Sequence, residues 1–281
     1  MNVKYKKSVL SIILRLLVII AACLTCGVLL YIVGYILVMG IPNLSPELFS
    51  WEYNSDNLSM LPSIINTLII TTLSLVIAVP LGIFSAIYLV EYAKRGNKLV
   101  SLIRVTAETL SGIPSIVYGL FGMLFFVTAL KMDYSILAGS LTMCIMILPL
   151  IMRTTEEALK AVPDIYREGS FGLGAGRLRT VFRVVLPSAV PGILAGVILS
   201  IGRIVGETAA LIYTAGTVAD IPESILDSGR TLSVHMYTLS REGLHIDQTY
   251  ATAVVLLIVV IFINALSAFV AKRITKRRGE A

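Results

Sequence analysis

The sequence predicts an all-α polytopic membrane protein with six transmembrane helices and both termini in the cytoplasm. Three observations carry that prediction. Of 281 residues, 57% are hydrophobic and only 14% are charged, where a soluble domain has about 25% charged residues; mean hydropathy is +0.89. The apolar residues are gathered into continuous runs that supply the roughly 20 residues a bilayer span needs. They do not alternate at every second position, which argues against a β-barrel. The basic residues, finally, are unevenly placed. With the N-terminus inside, eighteen of the 23 Lys and Arg fall on inner segments, three (Lys131, Arg230, Arg241) on outer segments and two (Arg15, Arg203) within spans. Positive residues collect on cytoplasmic loops, so this asymmetry sets the orientation. It also accounts for the net charge of +6 without a nucleic-acid partner.

The first span is expected over residues 8–39. Lys4, Lys6 and Lys7 before an apolar run resemble a secretory signal, and Ile20-Ala21-Ala22-Cys23 resembles a lipoprotein cleavage box. The run continues past Cys23 to Met39, too long for a signal core, so the expectation is a retained transmembrane helix. Arg15 sits near its inner end, where a long side chain snorkels to the interface. Residues 41–61 form an external connection whose Trp51 and Tyr53 suit an interfacial belt.

The second span is expected over 63–89. Asn66, Thr67, Thr71 and Thr72 lie near its start; they bond across helices, line a pathway, or bond their own backbone. Pro80 and Gly82 predict a bend. A short basic loop follows over 91–104. A turn at 111–114 introduces the third span, which ends near Leu130. After the tight turn from Lys131 to Tyr134 the fourth span ends near Met152. The fifth runs from about Ser188 to Tyr213, an outer loop reaches about Gln248, and the sixth ends near Ala271. The chain thus divides into an N-terminal span and its external connection (1–62), a core of five spans (63–272) and a basic tail (273–281).

No cofactor or metal is expected. Cys23 and Cys26 form a C-x-x-C inside an apolar run, Cys144 lies in another, and His235 and His245 stand ten apart with no further ligands. Structural zinc and redox sites need converging ligands or an exposed thiolate.

Two places carry chemistry. Arg203 and Glu207 are the only charges expected deep in a span, in Gly202-Arg203-Ile204-Val205-Gly206-Glu207-Thr208. On a continuous helix, spacing i and i+4 puts them on one face. An arginine at mid-membrane costs between about 2.5 and 17 kcal/mol, so it is retained for a purpose. One reading is a salt bridge that holds helices together. The other is a water-accessible anion path in which Arg203 meets an oxyanion and Glu207 keeps that contact weak. Gly192, Gly196, Gly202 and Gly206 form two G-x-x-x-G pairs that permit close helix packing.

The second place is the polar stretch 153–187, which carries Arg153, Lys160, Arg167, Arg177, Arg179 and Arg183 among acidic residues and glycines. Short helices are expected at 155–161 and 164–170, after which the glycines break the chain before 178–185. No G-x-x-x-x-G-K-[ST] occurs, and Gly172-x-Gly174-x-Gly176 follows no strand, so the glycines are not a nucleotide site. Two readings stand: a solvated loop, or a short helix that docks in the groove of a soluble partner.

The spacing inside this stretch resembles the cytoplasmic signature of bacterial ABC importer permeases. That signature is Glu-Ala-Ala, three residues, Gly, nine residues, Ile, one residue, Leu-Pro. Glu168, Gly174, Leu186 and Pro187 match it; Gly169 and Ser170 replace the alanines and Val184 the isoleucine. Asn66-Thr67-Leu68, Pro80-Leu81-Gly82, the segment from Tyr88 to Tyr92, the segment from Gly112 to Gly119 and that from Gly202 to Leu211 are similar to the phosphate importer permeases of the PstA type. The resemblance spans about 63–272.

It implies a type I importer permease fold and a multi-pass subunit of a bacterial or archaeal cell membrane. It also implies a homologous second permease, two copies of a cytoplasmic ABC ATPase and an extracytoplasmic phosphate-binding protein as partners. ATP hydrolysis would belong to the ATPase, and this chain would not be an enzyme. Sulfate and molybdate permeases carry a similar Arg-x-x-Gly-Glu element, while Thr208-Ala209 after Glu207 favours phosphate. A membrane scaffold or sensor is the reading from another class.

Overall fold

The computed structural model describes residues 9–94 and 96–279. Lys4, Lys6, Lys7, Arg95 and the last two residues of the basic tail lie outside them. The described residues form helices and connections with no strand. The helices are α1 (Val9–Gly40), α2 (Leu61–Tyr92), α3 (Lys98–Ser111), α4 (Ser115–Ala129), α5 (Ile136–Lys160), α6 (Asp164–Gly172), α7 (Arg177–Val205), α8 (Ala209–Ile212), α9 (Leu232–Glu242) and α10 (Ile246–Gly279).

Five helices are long and apolar enough to cross a membrane: α1, α2, α5, α7 and α10. Counting the bent pair α3 and α4 as one span brings the number to six. α3 and α4 meet at 103° across the turn at 112–114, and Tyr118 Oη closes that turn by donating to Leu110 O at 2.8 Å.

Contacts between the connections sort them onto two sides. On one side Glu91 meets Arg167 and Arg104 meets Glu156. On the other, Asn66 Nδ2 donates to Asp220 O and Arg230 O, Ile136 N donates to Asp227 O, and Tyr53 meets His235 edge-on. These are the inner and outer sides that the Lys and Arg distribution predicts.

Several helices depart from the expected bounds. α5 runs to Lys160 rather than ending near Met152, so the expected helix at 155–161 is its last turns. The pairs Glu156–Lys160 (2.6 Å) and Arg153–Glu157 (3.0 Å) carry it into water, until Pro163 stops it. The expected loop at 91–104 is largely helix: Asn97 Oδ1 accepts from Leu99 N at 3.0 Å and starts α3. α7 begins at Arg177, not Ser188, so Leu186 and Pro187 lie inside it. A wide turn at Val181–Val185 accommodates the donor that Pro187 lacks. α10 continues to Gly279, so Lys272 and Arg273 extend a helix.

The core is built on α5. Met143, Met146, Ile147 and Ile151 are buried against Ile70 and Ala78 of α2, Ile204 of α7 and Leu211 of α8. A second, inner cluster joins Ala86 and Leu89 of α2, Val100 and Ala107 of α3, Leu159 of α5 and Val181, Val185 and Ala189 of α7. α2 continues through Pro80, and its Gly82 lies against Ile151. α1 stands apart: Gly40 touches the Tyr250 main chain, Tyr35 meets the Tyr250 ring at 5.8 Å, Val33, Ile36 and Leu37 near its end are half-buried, and most of its other apolar side chains are exposed.

Candidate functional site

Arg203 lies in the last turn of α7. It borders a groove of 690 Å³ whose other walls are Leu150 of α5, Ala195, Leu199 and Gly202 of α7, and Asn264 of α10. The side chain is half-buried. Among the described residues no carboxylate pairs with it. It stands within electrostatic reach of Tyr118, beside the bend between α3 and α4.

Glu207 is elsewhere. The continuous helix that would place it on the Arg203 face ends at Val205. Gly206 caps that end, its N–H donating to Gly202 O at 3.2 Å. Glu207 is buried at 8% exposure. Its Oε1 accepts from Thr208 N (3.2 Å) and Ala210 N (3.1 Å), capping α8. Its carbonyl accepts from Ser233 Oγ in the first turn of α9. An acceptor that satisfies free N–H groups at a helix start competes with continuing the previous helix. The salt-bridge reading of Arg203 and Glu207 therefore fails on geometry. Glu207 joins the end of α7 to the outer loop.

The two glycine pairs behave differently. Gly192 and Gly196 face α5: a Cβ on Gly192 would stand 2.7 Å from Ala158 Cβ, and one on Gly196 would overlap Thr154. Gly202 opens onto the groove, where a Cβ would stand 3.9 Å from Asn264 Oδ1, and Gly206 is exposed. Asn264 Oδ1 is buried without a hydrogen-bond partner among the described residues. Sequence reasoning passed Asn264 over, although one amide in the apolar run Ile261-Phe262-Ile263-Asn264-Ala265 was a visible signal.

The outer side is more ordered than a simple connection. Thr67 Oγ1 donates to Ser63 O and accepts from Leu232 N at 2.9 Å, bonding both its own helix and its neighbour. Arg230, 4% exposed, stacks on the Tyr53 ring at 4.6 Å. His235 is fully buried. Burial, and then the Arg230 charge, pull its pKa down to about 3, against a smaller upward pull from the Leu58 main chain.

On the inner side α6 is held at its base and free on its face. The Arg167 guanidinium donates to Glu91 Oε1 (2.7 Å), Val162 O (2.8 Å), Leu159 O (2.9 Å) and Asp164 Oδ1 (3.2 Å), tying α6 to the ends of α2 and α5. Ser170 Oγ and Thr180 Oγ1, 2.8 Å apart, tie it to α7. Gly174 adopts φ +81°, a left-handed conformation that favours glycine, and turns the chain toward α7. Glu168 is exposed without an ion pair among the described residues. Ile165 is 70% and Leu173 91% exposed. A helix fixed at its root, with apolar side chains in water, has the form of a docking element. Glu91 and Arg167, which root it, went unrecognised because they are 76 residues apart.

Among the described residues no three His, Cys, Asp or Glu side chains converge as metal ligands.

A helical membrane bundle with a half-buried arginine on a groove and a rooted, partly apolar helix on its inner side is compatible with the class of membrane permease subunits. The chain belongs to the family described as "binding-protein-dependent transport system inner membrane component", whose profile matches residues 78–279. It is a multi-pass inner-membrane transport component working with a substrate-binding protein and a partner ATPase, and is not itself an enzyme.

It is 32% identical over 240 residues to a probable ABC transporter permease protein, YqgI, of Bacillus subtilis, covering 80% of this chain and 81% of that one. It is 35% identical to the phosphate transport system permease protein PstA 1 of Mycobacterium tuberculosis, covering 75% and 70%. With the Pasteurella multocida PstA the identity is 39%, covering 66% and 67%. Two solved structures share the fold: a bacterial alginate ABC transporter (TM-score 0.66, 16% identity, 95% of this chain and 98% of that one) and the MetNI methionine ABC transporter (0.59, 20%, 76% and 93%).

Proposed function

We propose that this chain is the membrane-spanning permease subunit of an ATP-driven importer of inorganic phosphate, forming half of the translocation path. The observation that carries the reading is Arg203: a half-buried guanidinium on a groove between spans, with no carboxylate partner among the described residues. A permanently charged, forked donor suits an oxyanion, and the lack of a counter-ion among the described residues leaves its charge for the solute. The names of the PstA relatives supply the solute class.

In this reading two permeases, this chain and a homologue, sit on two copies of the ATPase and receive phosphate from an external binding protein. α6, with Glu168 and Gly174, docks on the ATPase, and α7 carries its movement from Leu186 and Pro187 to Arg203. The sixteen residues from Pro187 to Arg203 span about 24 Å of unbroken helix, stiffened by Gly192 and Gly196 against α5. Glu207 acts as the pivot at the outer end of that rod.

Reconstituted with its partner subunits, the chain should support ATP-dependent uptake of radiolabelled phosphate, and excess sulfate or molybdate should not compete. Competition by either would move the substrate to those oxyanions. ATPase binding without uptake of any oxyanion would support a scaffold or sensor.

A further inference from the structure

A second groove, of 900 Å³, opens on the inner side between the end of α2, the start of α3, the end of α5, α6 and the start of α7. Six cations border it: Lys94, Lys98, Arg104, Lys160, Arg167 and Arg177. Three are already neutralised. Arg104 and Lys160 share Glu156 at 2.7 and 2.6 Å, and Arg167 is paired with Glu91 and Asp164, the two carboxylates that line the groove. The other three have no carboxylate within ion-pair distance among the described residues. Lys94 and Lys98 are exposed, and the Arg177 guanidinium lies 5.4 Å from the centre of the Tyr92 ring. Three like charges around one space repel one another unless an anion enters it.

The nature of that anion follows from α3. α3 turns 103° away from α4, and its Arg104 pairs with Glu156 on the inner side, so α3 runs across the inner end of the bundle. Val100 and Ala107 point into the protein, while Leu99, Leu102, Ile103 and Val105 are exposed. An amphipathic helix of this kind seats its apolar side chains at the acyl boundary and its basic ones at headgroup level, and Lys98 lies at the groove's edge. The inner leaflet carries anionic lipid that basic clusters beside spans recognise.

We propose that this groove holds the phosphate-ester headgroup of an anionic phospholipid of the cytoplasmic leaflet, bound by Lys94, Lys98 and Arg177, with its chains along the exposed edge of α3. Free phosphate offers the same oxygens but leaves that edge unused. The site is independent of which solute the chain carries. It touches α2, α6 and α7 together, so an occupied groove braces the root of the docking helix.

Native mass spectrometry of the full chain in detergent, titrated with phosphatidylglycerol and with phosphatidylcholine, tests this. The wild type should retain phosphatidylglycerol preferentially. Lys94→Gln, Lys98→Gln and Arg177→Gln should each weaken it about fivefold, and together on the order of a hundredfold. Arg179→Gln, which removes an exposed charge outside the groove, should change nothing, whereas Leu99→Ser with Leu102→Ser should weaken retention with all three cations in place. If the triple variant fails to fold, Lys98→Gln alone reads the same effect. Equal retention of phosphatidylcholine, or full retention by the charge variants, overturns the proposal. Displacement of the lipid by millimolar inorganic phosphate would make the groove a free-phosphate site. Displacement by the ATPase would make it a protein contact. Either result overturns the lipid assignment.

Discussion

Gly119 of α4 lies directly on the backbone of Ala210 in α8: a Cβ at position 119 would stand 2.7 Å from Ala210 Cα and 3.2 Å from Ala209 O. This contact joins the two interrupted elements of the bundle. One is the bend at 112–114 between α3 and α4; the other is the break at 206–208 between α7 and α8. Arg203 sits where they meet. Gly119→Val should therefore cost about 1–3 kcal/mol by overpacking, read as a lowered thermal midpoint of the purified chain. Gly27→Val on α1, where a Cβ would meet no atom of another element within 4 Å among the described residues, should leave that midpoint unchanged. An unaltered Gly119→Val midpoint would mean that the two breaks are not packed on each other.

Removing the charge at Arg203 should separate transport from assembly. Arg203→Gln should lower phosphate uptake about ten- to a hundredfold, the equivalent of one lost charge-assisted hydrogen bond of about 1.5–3 kcal/mol. Co-purification of the ATPase should not change, because α6 lies at the other end of α7. Wild-type uptake by this variant would remove Arg203 from the path.

Docking through α6 predicts the opposite pattern. Gly174→Asp places a side chain where φ is +81°, at a cost of about 1–2 kcal/mol, and re-aims the turn after α6. Glu168→Lys reverses an exposed charge on the same helix. Both should reduce ATPase co-purification while the chain still folds, since neither position is buried. Survival of both association and ATP-driven transport would defeat the docking role.

Glu207 offers a test of cap against charge. Glu207→Gln keeps an oxygen acceptor for Thr208 N and Ala210 N, whereas Glu207→Ala loses it. The alanine variant should be about 1 kcal/mol less stable, and the glutamine variant close to wild type. Equal destabilisation would show that the negative charge, and not the acceptor, holds the break together.

His235 makes stability depend on pH. Its folded pKa of about 3 lies below the unfolded value of 6.5, so between these values the unfolded chain binds the extra proton. Stability then falls as pH falls, by up to about 1.4 kcal/mol per unit below 6.5. The thermal midpoint of the purified chain should drop between pH 6.5 and 4, and His235→Gln should flatten that slope. A pH-independent midpoint in the wild type would show that His235 does not stay neutral in the fold.

Much of this molecule was legible in its sequence because the physics concerned is local or one-dimensional. Apolar run length marked the spans, and the Lys and Arg count oriented them. Glu168, Gly174, Leu186 and Pro187 marked the inner element at fixed spacing. Gly192 and Gly196 announced a tight helix contact whose partner, α5, only the fold named. The extension of α5 to Lys160 and of α7 back to Arg177 was missed because hydropathy sees where a helix leaves the membrane, not where it ends.

What only tertiary structure decided concerns residues far apart in the chain. The sequence placed Arg203 and Glu207 four apart and left their relation to helix continuity. Gly206 and the Glu207 cap end the helix between them, so one residue faces a groove and the other ties α8 to α9. Asn264 reaches the Arg203 groove from α10, and Glu91 roots α6 through Arg167; neither contact has any sequence-local cause. A sequence determines what each segment prefers in water or lipid. Which unpaired charge meets which neighbour depends on how the helices close around α5, because burial and ion pairing act between segments and have no period along the chain.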